Sequence, residues 1–409
     1  MAENHSGRGF LSGYRVLDFT QMVAGPTATR LMAEMGAEVL KIELPPDGDP
    51  ARLMPVIRDG RSAYFVQHNL GKKGLCINLK SEPGRALALD LARRVDVVVE
   101  NFSPGAVARM GLGYEAVRAV NPGVIMCSIS ALGQTGPLAH APGYDYVAQA
   151  YAGVTDMMGE PDRAPSIPMI AMGDVNTGVY ALAAITSALL HRERTGGEGQ
   201  WIDVSLLDAY VYTHDHSLEV YSAGGGKFTP TRGGAHHTGL CPCGVFRARD
   251  GYLVIVAALE HQWHALARAM GHPELGRDER FGSRLARFRN KAELIGLIEE
   301  WLASLPGREA ALAALERERV PAGPVLSVPE MLRHPHLVER GTVRQVSDPV
   351  VGDFFVPGFP FRFSGFSPVK GCGAPELGEH NREVLCRYLG YDAGEVERLA
   401  AEGVLAGGQ

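Results

Sequence analysis

The sequence predicts an α/β protein built on a Rossmann-like parallel sheet, and three observations carry that reading. Short β-branched runs alternate with helix-spaced segments through about the first 210 residues, the rhythm of βαβ units. One run, VDVVVENF at Val95–Phe102, is apolar at successive rather than alternate positions, as in a strand buried on both faces. From Ser222 the composition changes: SAGGGKFTPTRGGAHHTG is rich in glycine and polar residues and reads as a linker to something of different architecture.

In chain order, YRVLDF (Tyr14–Phe19) is a strand, and AGPTATRLMAEMGA has helical apolar spacing, starting at Gly25-Pro26 and stopping at Gly36. EVLKIE (Glu38–Glu43) is the second strand, and EPGRALALDLARRV (Glu82–Val95) is a helix with Pro83 near its start. VDVVVENF is the third strand, AVARMG opens a further helix, and GVIMCSIS (Gly123–Ser130) is the fourth strand. AMGDVNTGVYALAAITSALL (Ala171–Leu190) reads as a buried helix, and QWIDVSLLDAYV as a strand running into a helix. Beyond the linker, GVFRARDGYLVIVA predicts a hairpin around Asp250-Gly251. Helical stretches then run from His261 to about Glu318, and VPAGPVLSVPEML (Val320–Leu332), with three prolines, reads as a return linker. The tail holds GFPFRFSGFSPV and a helix from EHNREVLCRYLG.

With 409 residues the chain is long enough for a large core. Its net charge of −6 and lack of a basic run argue against nucleic acid as a partner, though not against a small anion in a local basic pocket. The opening MAENHSGRGFLSGYRVLDF is polar where the apolar core of a secretory leader would stand, and Asp174, Asn176 and Thr177 interrupt the longest apolar stretch. Six scattered cysteines suit a reducing compartment better than a disulfide scaffold. A cytoplasmic protein with no membrane association is expected.

Asp174 is the first candidate for chemistry. A carboxylate just ahead of a long apolar helix is either an N-cap or a nucleophile or base held at the positive end of the macrodipole. The three lysines of NLGKKGLCINLK (Asn69–Lys80) read as a solvated loop or a phosphate-binding edge. In VVVENFSPGAVARMG a buried strand ends at Asn101-Phe102, turns at Pro104-Gly105 and enters a helix bearing Arg109. Ligands gather at such carboxyl ends in open α/β sheets, so Asn101 and Arg109 are candidate phosphate contacts and Phe102 a flank for a base or thioester. The alternative is an ordinary turn. Tyr144 and Asp145 open a further helix. His236, His237, Cys241 and Cys243 lack the spacing of a zinc site, so no metal is expected. GGGK at Gly224–Lys227 is no P-loop, and neither G-x-G-x-x-G nor G-x-S-x-G is found in place.

VLDFTQMVAGPTATRLMAEMGAEVLKIE, GDPAR, NLGKKGLCINLK, VENFSPGAVARMGLGYE, GYDYVAQA, GDVNTGVYA, DGYLVIVA, HPHLVERG and LGEHNREVL occur in this order along nearly the whole chain. The ordered set resembles the family III (CaiB/BaiF-type) CoA-transferases. The resemblance implies that Asp174, in the G-D pair, is a nucleophile that forms a covalent aspartyl intermediate with an acyl-CoA. It implies coenzyme A contacts at Val23, Ala24, Leu79, Lys80, Asn101, Phe102, Ser103, Arg109, Tyr144 and Asp145, with Lys80 and Arg109 meeting phosphates. It implies a glycine lid at Gly233-Gly234, and Arg52, Arg232 and His237 are candidates for a second carboxylate. No prosthetic group is implied; the CoA thioester is a substrate, and a small carboxylate is the acceptor. The implied fold is an interlocked, ring-shaped homodimer, with a hetero-oligomer of paralogues as the alternative. Its large Rossmann-like domain would take residues 1–221 and 326–409, with a smaller α+β domain and linker at 222–325.

Two departures narrow this. The formyl-CoA:oxalate branch has Gln before A-G-P and a Trp after G-D-x-x-R; Val23 and Leu53-Met54 stand here, so oxalate is not implied. The related racemases carry G-H-D where this chain has Gly143-Tyr144-Asp145, so two-base racemisation lacks its imidazole. Transfer from a succinyl-CoA-like donor is the favoured expectation, with an acyl-CoA racemase or epimerase, or a partner subunit, as the alternatives.

Overall fold

The computed structural model describes residues 9–368 and 373–408; the first residues of the opening stretch and Cys372 lie outside them. Six strands, β1 (Arg15–Asp18), β2 (Glu38–Glu43), β3 (Lys73–Cys76), β4 (Val97–Glu100), β5 (Ile125–Ser130) and β6 (Gln200–Ser205), form one sheet. The order is β3-β2-β1-β4-β5-β6 and every neighbouring pair is parallel. The chain therefore winds one way from β1 to β3 and the other way from β4 to β6. Connections part between β1 and β4, the place at whose carboxyl ends open α/β sheets bind ligands.

Helices cover both faces. On one lie α1 (Ala24–Glu34) and the 24-residue α3 (Met172–Thr195). On the other is α2 (Glu82–Ala92), whose Leu87 and Leu91 pack with Leu17, Leu40, Ile42, Leu75, Val98 and Met126 of the strands. Two carboxy-terminal helices, Asn381–Leu389 and Ala393–Ala401, join that core. The intervening strand residues Val16, Val39, Val97 and Val99 are also buried, as strands covered on both sides require.

Two of the three lysines in the lysine-rich stretch, Lys72 and Lys73, depart from both readings of it. Lys73 begins β3, which pairs with β2 from Leu40 to Glu43. Lys72 is buried against Asp18, and Lys73 bridges Glu38 and Glu383. Side chains of distant elements neutralise these cations, and local sequence carries no sign of that. A helix at Ala63–Asn69, capped by Ser62, and a hairpin at Val343–Asp348 and Gly352–Pro357 were likewise not expected.

The chain divides into two compact units. The first holds the described residues up to Ala152, then Pro168–Thr213 and the described residues from Pro335; the second holds Gly153–Ile167 and His214–His334. In the second unit β7 (Cys243–Ala248) and β8 (Gly251–Val256) form the expected hairpin. A third strand, β9 (Ala322–Pro324), pairs antiparallel with β8. Val320–Leu332 is thus no plain linker: it supplies an edge strand, where proline is tolerated because its missing N–H faces away from the ladder. It also supplies a helix, Val328–Arg333, closed by a Ser327/Glu330 capping box. Phe246, Leu253, Ile255, Trp263, Phe281, Leu294, Ile298, Leu302 and Leu315 make this unit's own core. Among the described residues no helix is long and apolar enough to cross a membrane.

Candidate active site

Helix α3 starts two residues before Asp174, and its N-cap position is Ala171. Asp174 is therefore not the cap. It stands in the first turn, where N–H groups lack partners within the helix. Those groups are already satisfied: Met172 N–H donates to Ile170 O (3.0 Å), Gly173 N–H to the Tyr210 hydroxyl (3.0 Å), and Asp174 N–H to Asp145 Oδ2 (3.1 Å). Tyr210 in turn donates to Asp145 Oδ1 and receives a bond from Gln149 Nε2 (3.2 Å). A buried Asp145–Tyr210–Gln149 brace thus grips the helix start. Gly173 makes this possible, since a Cβ there would lie 2.3 Å from the Tyr210 ring.

The brace uses the backbone of Asp174 and leaves its carboxyl group unbonded: among the described residues no hydrogen bond or ion pair reaches it. Burial pushes its pKa up to about 7, and the nearby Asp145 carboxylate adds to the rise. An acid held near neutrality with no structural partner has the character of a reactive group. Tyr64, half-buried, has its hydroxyl pKa raised first by burial and then by the charge of Asp174. Neither Tyr64 nor Tyr210 stood out in the sequence; one comes after an ordinary Ser-Ala and the other lies on an amphipathic helix.

The remaining candidates fall into three places. Around the carboxyl ends of the first sheet, Val23 and Ala24 are buried where β1 leads into α1. Leu79 is buried and Lys80 exposed just past β3, with Lys80 O bonded by Arg85 Nη1 (2.9 Å). Past β4, Ser103 and Arg109 are exposed, and Phe102 N–H donates to Glu100 Oε2 (2.9 Å). Glu100 itself is buried, which pushes its pKa up to about 7 against the opposing hydrogen bond from Ser128. Asn101 holds the Gln21 peptide with both ends of its amide, at 2.8 Å each. At α3, Tyr144 is exposed while Asp145 belongs to the brace.

Arg52 has other work. It binds Glu43 with two bonds of 2.7 Å, donates to Pro375 O (3.2 Å) and lies 3.6 Å over the Phe65 ring. The sequence showed its charge but not the buried carboxylate that occupies it. In the second unit, Arg232 pairs with Asp156 (2.6 Å), and His237 Nδ1 accepts from Gly239 and Leu240 N–H (2.9 and 3.0 Å). Gly233 and Gly234 belong to the same loop; Gly234 has φ +63°, and its N–H donates to Gly159 O (3.1 Å). No group of three or more metal-ligating side chains is assembled among the described residues.

The likeness to known proteins extends over the whole of this framework. Mouse succinyl-CoA:glutarate CoA-transferase is 36% identical over 396 residues, covering 97% of this chain and 90% of the mouse protein. Acetyl-CoA:oxalate CoA-transferase of Acetobacter aceti is 37% identical over 388 residues, covering 94% of this chain and 97% of that one. The crystal structure of a CAIB/BAIF family protein from Brucella suis superposes with a TM-score of 0.82 at 35% identity, over 93% of this chain and 100% of that one. The profile of CoA-transferase family III matches residues 11–381, from just before the parallel sheet to the start of the helix Asn381–Leu389. The chain belongs to CoA-transferase family III.

Proposed function

We propose that this CoA-transferase works through a covalent aspartyl intermediate on Asp174. The observation that carries the proposal is the unpartnered, near-neutral Asp174 carboxyl above a helix start whose N–H groups are all satisfied elsewhere. The carboxylate attacks the thioester carbonyl of an acyl-CoA, the C–S bond breaks, and CoA leaves as thiolate, leaving an aspartyl–acyl mixed anhydride on Asp174. The thiolate attacks the aspartyl carbonyl, releasing the first carboxylate and leaving an aspartyl-CoA thioester. An acceptor carboxylate attacks that thioester, breaking its C–S bond, expelling the thiolate and forming a second mixed anhydride; the thiolate then attacks the acceptor's acyl carbonyl, giving the new acyl-CoA and freeing the Asp174 carboxylate. Each step replaces one difficult exchange by an easier one.

The donor is a small dicarboxylyl-CoA such as succinyl-CoA. Support comes from relatives named succinyl-CoA:glutarate and succinyl-CoA:mesaconate CoA-transferases, although another relative is named for acetyl-CoA and oxalate. Exposed Lys80 and Arg109, past the carboxyl ends of β3 and β4, suit the phosphates of coenzyme A. A homodimer is part of the same reading.

The test is intact-protein mass spectrometry after mixing with succinyl-CoA and other CoA esters, quenching, and trapping with hydroxylamine or borohydride. An adduct on Asp174, absent in Asp174→Ala, is expected. No adduct with any ester, in protein that still binds CoA, overturns the covalent route; solvent deuterium then entering the α-carbon of the acyl group would mark a racemase instead.

A further inference from the structure

The turn Thr20–Val23, which carries the chain from β1 into α1, is tied down at successive peptides. Thr20 N–H and Oγ1 donate to Asp18 Oδ1 (2.9 and 2.5 Å), and Thr20 O accepts from Lys41 Nζ (2.7 Å). Asn101 takes both sides of Gln21, and Met22 N–H donates to Asp49 Oδ1 (3.1 Å). Met22 has φ +65°, a left-handed backbone that a residue with a side chain does not hold unless its surroundings impose it.

The anchors are buried charges. Lys41 and Asp49 pair at 2.9 Å, as do Lys72 and Asp18, with all four side chains fully covered. Such pairs return little net stability, because desolvation takes back what attraction provides. Burial draws Lys72 down to about 8 even beside Asp18, whereas Lys72 and Lys41 hold Asp18 down to about 2 against burial, and the attraction between Lys41 and Asp49 raises the one and lowers the other despite burial.

The turn aims α1 at the helix that carries Asp174. Gly178, one helical turn beyond Asp174, lets α1 come so close that a Cβ would lie 2.6 Å from Ala24 O and 2.7 Å from Thr27 Cβ. The backbone leaving Met22 therefore sets where α1 bears on α3.

We propose that Lys41 and Asp49, backed by Asp18 and Lys72, are positioning residues for CoA transfer, holding the Thr20–Val23 turn in the left-handed Met22 conformation that seats α1 against the Asp174 helix. The inference rests on the reading of Asp174 as the nucleophile. Without the anchor, Met22 relaxes to negative φ, α1 shifts at Ala24, and the carboxylate meets the thioester less well aligned.

Two double variants test it. Lys41→Met/Asp49→Asn and Lys41→Met/Asp49→Leu both remove the buried charge pair, but only the first keeps an acceptor for Met22 N–H. Adduct formation is expected to fall in both doubles, which lose the Lys41 bond to Thr20 O, and about tenfold further, with KM little changed, in the Leu double, which also loses the acceptor for Met22 N–H; an Asn double at the wild-type rate overturns the role of Lys41. Equal rates in the two folded doubles overturn the proposal. If the Leu double does not fold, hydrogen exchange in the wild-type protein decides: Gln21 and Met22 amides as protected as that of Leu17 support the anchor, and fast exchange at Met22 overturns it. Wild-type protein that forms no adduct refutes the Asp174 mechanism instead, and the doubles are then compared by overall transfer rate.

Discussion

A carboxyl group that titrates near neutrality is a compromise between nucleophilicity and desolvation. Asp174 sits at about 7 because burial disfavours its charge and Asp145 repels it. In the proposed mechanism only the ionised carboxyl attacks the thioester, so kcat/KM rises with pH through about 7 and levels off above it, since this ratio reports the free enzyme. Asp145→Asn removes the neighbouring charge while its amide oxygen still accepts from Tyr210 or the Asp174 N–H. Its rising limb therefore shifts to lower pH. A pH–rate series on both proteins checks this; a limb that does not move shows that Asp145 acts on backbone geometry alone. Residue-level chemistry was partly legible beforehand. A Gly-Asp pair before an apolar helix marks a charge with something to do, but whether it caps, pairs or reacts depends on Tyr210, Gln149 and Asp145, which come from other elements.

At the scale of elements, the contact between α1 and the Asp174 helix is made by glycine. Gly178→Ala forces a methyl to 2.6 Å from Ala24 O, a backbone atom of α1 rather than the end of a flexible side chain. A loss of about 1–3 kcal/mol is expected from overpacking, together with slower adduct formation. Gly296, inside the helix Lys291–Ser304 of the second unit, has nothing within 4 Å of an added Cβ. Gly296→Ala should stabilise by about 0.4–1 kcal/mol, because alanine loses less backbone freedom on folding. Urea titrations of the two variants should move the midpoint in opposite directions; a shared direction would show that close approach at Gly178 is not what distinguishes them. Helix periodicity in the sequence marked these segments as helices but treated both glycines alike, because what a glycine faces is a neighbour it does not encode.

For the whole molecule, the second unit's own core is a separate vulnerability. Trp263 is fully buried at the centre of the second unit's core, with the Arg287 guanidinium 5.6 Å from its ring. Arg287 is itself buried and bonded to Cys241 O, Phe281 O and Glu260. Trp263→Ala removes the largest side chain there and should cost about 3–5 kcal/mol, read as a lower urea midpoint. An unchanged midpoint would mean that this core is already loosely packed in solution.

The sequence by itself determined the alternation that makes a parallel sheet, since β-branched runs and helix-spaced runs differ in period wherever they fold. It also marked Asp174 and the turn after β4, because glycine, proline and charge beside buried strands are local signals. The lysines at 72 and 73, Arg52 and the left-handed Met22 were decided only by tertiary structure. Lys72 meets Asp18, Arg52 meets Glu43, and Met22 is held by Asp49, each across an element boundary. A charge in sequence announces that it needs a partner; only the fold brings one within about 3 Å.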